Sequence, residues 1–292
     1  MAFISILFAL LAMVLWGFEE LFLKKTIARV KTLTTLLINT ITGVILQFLV
    51  VVVLIGKITL IPINDFLLVI VAVITAFLGY LFFYKALGKQ KLSLISSLDN
   101  SWIIVSIIIA MVFFGEKLNF ISTLSVVLVL FGAFLISANF KKLKRMRFIL
   151  GGGYELLSVI FIGITVPLEK VIVNRIGEAN TIIYLGVLIL PSIFIYKFLM
   201  KEKFIKPNKK ALKTGIASGI FDGLAFIFYL LALKSTNVSI VAPIVASSVI
   251  VSVFLGRVYL KEKMTLKQII GAIAILIGVI ILSITFNLQP SF

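Results

Sequence analysis

The sequence predicts an all-α integral membrane protein: ten transmembrane helices arranged as a 5+5 inverted repeat. Three observations predict it. The chain is 62% hydrophobic, with a mean hydropathy of +1.25, well above a soluble domain. Its apolar residues fall into ten runs, at about 2–23, 34–55, 66–86, 92–114, 119–138, 148–170, 180–200, 211–233, 239–260 and 266–286. Each run is close to the ~20 residues needed to cross the hydrocarbon, where backbone polar groups must be satisfied inside helices. Finally, the chain repeats itself at an offset of 146 residues. Ala86-Leu87 falls on Ala232-Leu233, Val105-Ser106 on Val251-Ser252, Glu116-Lys117 on Glu262-Lys263, and Gly132 on Gly278. Gly17 and Lys24 fall on Gly163 and Lys170 without a gap.

Five spans per copy is an odd number, so the second copy enters the membrane from the opposite side. Inverted repeats of this kind hold a binding site near the midplane, where the copies meet. The organisation read from the sequence is a first repeat at 1–140, a basic linker at 141–147 and a second repeat at 148–292. The connections between the third, fourth and fifth spans are short, which makes those helices antiparallel neighbours.

Composition excludes several kinds of chemistry. With no Cys and no His, disulfides, thiolate catalysis, zinc–cysteine sites and imidazole proton relays are absent. No cofactor or metal site is expected. The first apolar run lacks a basic leader and a small-residue cleavage site, so it reads as a span. The net charge of +17 does not point to nucleic acid, because the basic residues lie in short loops. The loops after spans 1, 3, 5, 7 and 9 hold 23 of the 28 Lys and Arg. The positive-inside rule therefore puts those loops in the cytoplasm and both termini outside a plasma membrane.

Ionisable groups inside spans are costly, about 2.5–3.5 kcal/mol each on insertion scales, and are functional by default. Asp65, Glu116, Glu178, Glu202 and Glu262 read as loop or interface residues. Glu19, Glu20, Asp99, Glu155 and Asp222 read as deep. Glu19, Asp99 and Glu155 lie four to seven residues from the basic face, and Asp222 is near the midplane, so carboxylates from four helices can share one vestibule. Glu19 and Glu20 each have an alternative, snorkelling to the interface to pair with Lys24 at helical spacing, and Glu155 has another in the basic residues of the linker. Asn100, Trp102 and Ser248 sit at similar depth, and Tyr80, Tyr84, Tyr154, Phe221 and Tyr229 add aromatic surface. Carboxylates with aromatic rings suit a cation, through charge and cation–π attraction of about 0.5–2 kcal/mol per ring. The candidate substrate- or proton-binding residues are Glu19, Asp99, Asn100, Trp102, Glu155, Asp222, Tyr80, Tyr84, Tyr229 and Ser248. Gly219 and Gly223 around Asp222 suit close helix approach. Gly151-Gly152-Gly153 reads as a flexible hinge between the halves, since no Lys-Ser/Thr follows it as in a phosphate loop.

These residues carry a likeness. Trp16-Gly17, Tyr84-Lys85-Ala86-Leu87 running into Ser93, Gly115-Glu116-Lys117-Leu118 and Gly132 resemble the drug/metabolite transporter superfamily, in its EamA-type ten-helix exporters. The second half repeats the pattern with Tyr229, Ala232-Leu233-Lys234, Ser239, Glu262-Lys263, Gly271 and Gly278. The resemblance implies alternating access and a central cavity lined mainly by the first, third, fourth, sixth, eighth and ninth helices. It also implies movement of amino acids, amines or other metabolites and drugs, often by proton-coupled export. The chain departs from the pattern in two ways. Asp99-Asn100-Ser101 stands where family members often place a proline, and the charge bias puts the termini outside. The expected partners are a small-molecule substrate, the lipid bilayer and protons, with a monomer sufficient. A lipid or polyprenol-carrier flippase on the same fold is the alternative function, and an intramembrane enzyme a remote one.

Overall fold

A computed structural model describes residues 2–90, 92–137, 146–261 and 265–287. Helix follows helix throughout: α1 (Ala2–Val50), continued by a short π-helical turn (Val51–Ile55), α2 (Ile63–Lys89), α3 (Leu92–Asp99), α4 (Trp102–Phe114), α5 (Phe120–Ser137), α6 (Met146–Leu199), α7 (Lys209–Ser235), α8 (Val238–Ala246), α9 (Ser248–Leu260) and α10 (Leu266–Asn287). Among the described residues, six helical stretches are long and apolar enough to cross a membrane, with two shorter apolar helices at Trp102–Phe114 and Phe120–Leu135. Large apolar side chains such as Phe113, Phe131 and Ile280 stand exposed on the outside, as a lipid-facing surface requires.

The element boundaries differ from the hydropathy reading in ways that matter for function. The runs at 2–23 and 34–55 are joined in one helix that turns sharply at Lys31 (φ 60°, ψ 178°), and α6 turns at Gly177 (φ 78°, ψ 169°). The two turns are 146 residues apart. In each, the threonine four residues on ties its hydroxyl to the turn's free carbonyl: Thr35 to Lys31 at 2.7 Å, Thr181 to Gly177 at 2.6 Å. The fourth and ninth runs are broken in the middle, the first between α3 and α4 at Asn100-Ser101, the second between α8 and α9 at Ser247. No proline is needed for the first break. In the second, Pro243 cannot donate a backbone hydrogen bond, and Ser247 Oγ donates to the Pro243 carbonyl at 2.7 Å. The triplet 151–153, expected as a flexible hinge, is helical within α6.

Packing joins opposite halves of the chain: α1 lies mainly on α7, α2 on α6, and α5 on α10. Contacts recur in swapped pairs. A Cβ on Gly17 would stand 2.4 Å from Val251 Cβ, and one on Gly163 would stand 2.5 Å from Val105 Cβ. Lys24 Nζ donates to the carbonyls of Leu87 and Gln90 at the end of α2. Lys170 Nζ donates to those of Leu233 and Thr236 at the end of α7, at 2.7 and 3.0 Å. Thr34 Oγ1 accepts from the Ile205 amide, and Asn180 Oδ1 accepts from the Thr59 amide, both at 2.8 Å. Both lysines answer the orphan carbonyls of a helix C-terminus, for which lipid offers no donor. Glu116, read as a loop residue, caps the start of α8 by accepting from the Val238 and Ser239 amides, each at 2.9 Å. Its counterpart Glu262 lies outside the described residues.

Candidate functional site

The helix breaks, the first segment of α1, α2, α6 and α7 surround a cavity of about 100 Å³. Nine of the ten candidate residues line it: Glu19, Tyr80, Tyr84, Asp99, Asn100, Trp102, Asp222, Tyr229 and Ser248. Trp16, Glu20, Phe83, Glu169 and Phe226 line it too, and none of its lining residues is Lys or Arg. Glu155 is the exception. It is buried, neither carboxylate oxygen accepts from an N–H or O–H, and its carboxyl faces that of Asp99. Glu155 therefore sits behind the cavity wall and reaches it through Asp99.

Four of the wall carboxylates have a side-chain donor beside them. Asp222 Oδ1 accepts from Trp16 Nε1 at 3.0 Å. Trp16 leans on Tyr229, ring centroids 5.3 Å apart, and the Tyr229 hydroxyl donates to Glu169 Oε2 at 2.8 Å. Asp222, Trp16, Tyr229 and Glu169 form one linked chain across α7, α1 and α6. Asn39 Nδ2 donates to Glu19 Oε1 at 3.3 Å and to Ser218 Oγ at 2.8 Å. Ser158 Oγ lies 3.4 Å from Asp99 Oδ1 and 3.1 Å from the Gly79 carbonyl. Asn100 is 2% exposed, and its Nδ2 has no hydrogen-bond partner. The wall thus offers acceptors held in place and, at Asn100 Nδ2, a buried donor without a partner.

Glu169 is the residue that sequence reasoning missed. Hydropathy closes the sixth span at Lys170 and leaves Glu169 at a helix end. The helix in fact continues to Gly177, because Lys170 spends its charge on the α7 carbonyls. The apolar run Val171-Ile172-Val173 was the available signal. Tyr154 and Phe221 are not cavity residues. Lys89 Nζ lies 4.5 Å and Lys85 Nζ 5.7 Å from the Tyr154 ring, and Phe221 stacks between Phe18 and Phe22. A smaller cavity of about 50 Å³ adjoins the first, with Asn39, Gln47 and Gly186 in its wall. Among the described residues, no cluster of acidic side chains is arranged to hold a metal ion.

A helical membrane protein with a buried polar cavity beside broken helices belongs to the class of membrane transporters. The chain is a member of the EamA-like transporter family, whose model matches it twice, over residues 3–138 and 149–284. It is 31% identical over 132 residues to an uncharacterized protein of Methanocaldococcus jannaschii, a match that takes 44% of this chain and 93% of that one. That relative is therefore a chain about half as long. An uncharacterized transporter of Archaeoglobus fulgidus is 21% identical over 216 residues, 74% of each chain. A solved crystal structure shares the fold with a TM-score of 0.80 at 16% identity, covering 98% of this chain and 99% of the other.

Proposed function

We propose that this transporter is a secondary carrier of small organic solutes bearing a positive charge. It works by alternating access, as two inverted five-helix repeats rock about the cavity. The observation that carries this reading is the cavity wall: five carboxylates, five Trp and Tyr side chains, and no lining Lys or Arg. Such a wall attracts cations and repels anions. The sharp turns at Lys31 and Gly177 divide α1 and α6 into two crossings each, and the pairs α3–α4 and α8–α9 count as one each, which gives ten. The swapped contacts between residues 1–140 and 148–292 support the inverted pairing, with the basic linker 141–147 between them.

Proton coupling rests on the same groups. Burial disfavours the charged form of a carboxylate, so a proton and a cation compete for it. Export follows if the cavity fills from the basic, cytoplasmic face. Purified protein in proteoliposomes, driven by a pH gradient, tests the mechanism. Asp99→Asn and Asp222→Asn are each expected to lower gradient-driven movement of an organic cation by about tenfold or more. Intact coupled transport in both would overturn the reading. For sidedness, a tag at Phe292 reachable only after permeabilisation would reverse the assignment of the termini to the outside.

A further inference from the structure

The smaller cavity shares a wall with the carboxylate cavity, formed by Tyr80, Tyr84, Glu169, Asp222 and Phe226. Beyond that wall, the segment of α1 after Lys31 faces the segment of α6 after Gly177. The two copies differ there in one direction. α1 brings Asn39, Thr40 and Gln47, where the positions 146 residues on are Leu185, Gly186 and Ile193. Gln47 is 6% exposed, and its Oε1 has no hydrogen-bond partner. An amide oxygen buried without a donor is unfavourable, and a donor filling the adjoining cavity would relieve it. Gly186 leaves the room: a Cβ there would stand 2.6 Å from Gln47 Oε1. Neither cavity has a Lys or Arg in its wall.

We propose that the two cavities are the two poles of one elongated binding site, and that its solute is an aliphatic diamine or polyamine. This rests on the reading of the carboxylate cavity as a cation site. One ammonium group sits among the carboxylates, and the alkyl chain passes the aromatic rings of the shared wall. The second ammonium, still close to Glu169 and Asp222, donates to Gln47 Oε1. A monoamine fills one pole and leaves Gln47 unpaired. An α-amino acid brings its own carboxylate into a wall that already holds five. Beyond the shared wall, the polar side chains of the second pole come from one copy only (Asn39, Thr40 and Gln47), so the site has a direction although the frame around it is repeated.

Isothermal titration calorimetry on the whole protein in lipid nanodiscs, with 1,4-diaminobutane and butylamine as probes, tests this. The diamine is expected to bind at least about tenfold more tightly than the monoamine, the size of one hydrogen bond to a charged group. Gln47→Leu is expected to cut that ratio to about one. Gly186→Ala is expected to do the same by pushing the Gln47 amide aside, and each variant covers for the other if one fails to fold. Equal binding of the two amines, or a ratio unchanged in both variants, means that the small cavity holds only water and overturns the proposal while leaving the cation site standing. Binding of neither amine overturns both readings.

Discussion

Gly17 against Val251 and Gly163 against Val105 are the same contact made twice. Asp222 in the cavity wall has Ala76 at the matching place, Asp99 has Val245, and Glu19 has Thr165. The frame and the cavity are thus built by different rules from one repeat. The frame is the set of positions where both copies keep small residues, backbone-capping lysines and hinge threonines, because both must make the same close approach. The cavity lies where both copies contribute wall residues but only one contributes charge: Val245 and Thr165 line the same space as Asp99 and Glu19. Packing fixes the frame in pairs, and the solute's chemistry is met by what the pairs do not share.

The largest expected effect breaks the charged side of this comparison. Asp222→Asn and Glu169→Gln are each expected to lower uptake of an organic cation by about tenfold or more, equivalent to losing about 1.5–3 kcal/mol of charged hydrogen bonding. Ala76→Ser, at the matching uncharged place, is expected to change it little. Initial rates in proteoliposomes, normalised to folded protein, check both. Next, Gly17→Ala and Gly163→Ala are each expected to destabilise the protein by about 1–3 kcal/mol through overpacking. Thermal unfolding in detergent measures this, and losses differing by more than about 1 kcal/mol would break the equivalence of the two contacts.

The repeated contacts are also unequal where the sequence makes them so. Pro167 has no N–H for the Gly163 carbonyl four residues before it, and Ser106 Oγ supplies the donor at 3.0 Å. In the other copy, residue 21 is a leucine and the Ser252 Oγ to Gly17 carbonyl distance is 3.5 Å. Ser106→Ala is therefore expected to cost about 1–2 kcal/mol and Ser252→Ala clearly less, again by thermal unfolding. The smallest effect concerns the hinges. Gly177 suits its positive φ, whereas Lys31 holds φ 60° with ψ 178°, a region that side chains resist. Lys31→Gly is expected to stabilise by about 1 kcal/mol, and Gly177→Ala to destabilise by a similar amount. A loss of stability in Lys31→Gly would mean that its side chain does more than tolerate the turn.

Depth along a helix was legible in the sequence; direction around it was not. Counting residues from the basic face puts Glu19 and Asp99 within about seven residues of it and Asp222 deeper, near the midplane, and all three line one cavity. Glu155 matches Asp99 in depth but points at it from behind, because the rotation of α6 is set by its packing on α2 and not by its own pattern. Glu20, readable as a partner for Lys24, is 7% exposed and lines the cavity. Glu169 and Gln47 escaped notice for a related reason. A lysine beside the first suggested a helix end, and nothing in an apolar run marks which glutamine will face a hole.

By itself, the sequence determined that the chain is helical and membrane-embedded, that it repeats at 146 residues, and that several carboxylates fall inside its apolar runs. These follow from hydropathy, from counting, and from the cost of charge in lipid. The tertiary structure decided which side of each helix meets which neighbour. It made hinges of Lys31 and Gly177, opened two helices at Asn100 and Ser247, and joined Asp222 to Glu169 through Trp16 and Tyr229. Those outcomes depend on contacts between residues as much as 213 positions apart, as Trp16 and Tyr229 are, and no local pattern in the chain encodes them.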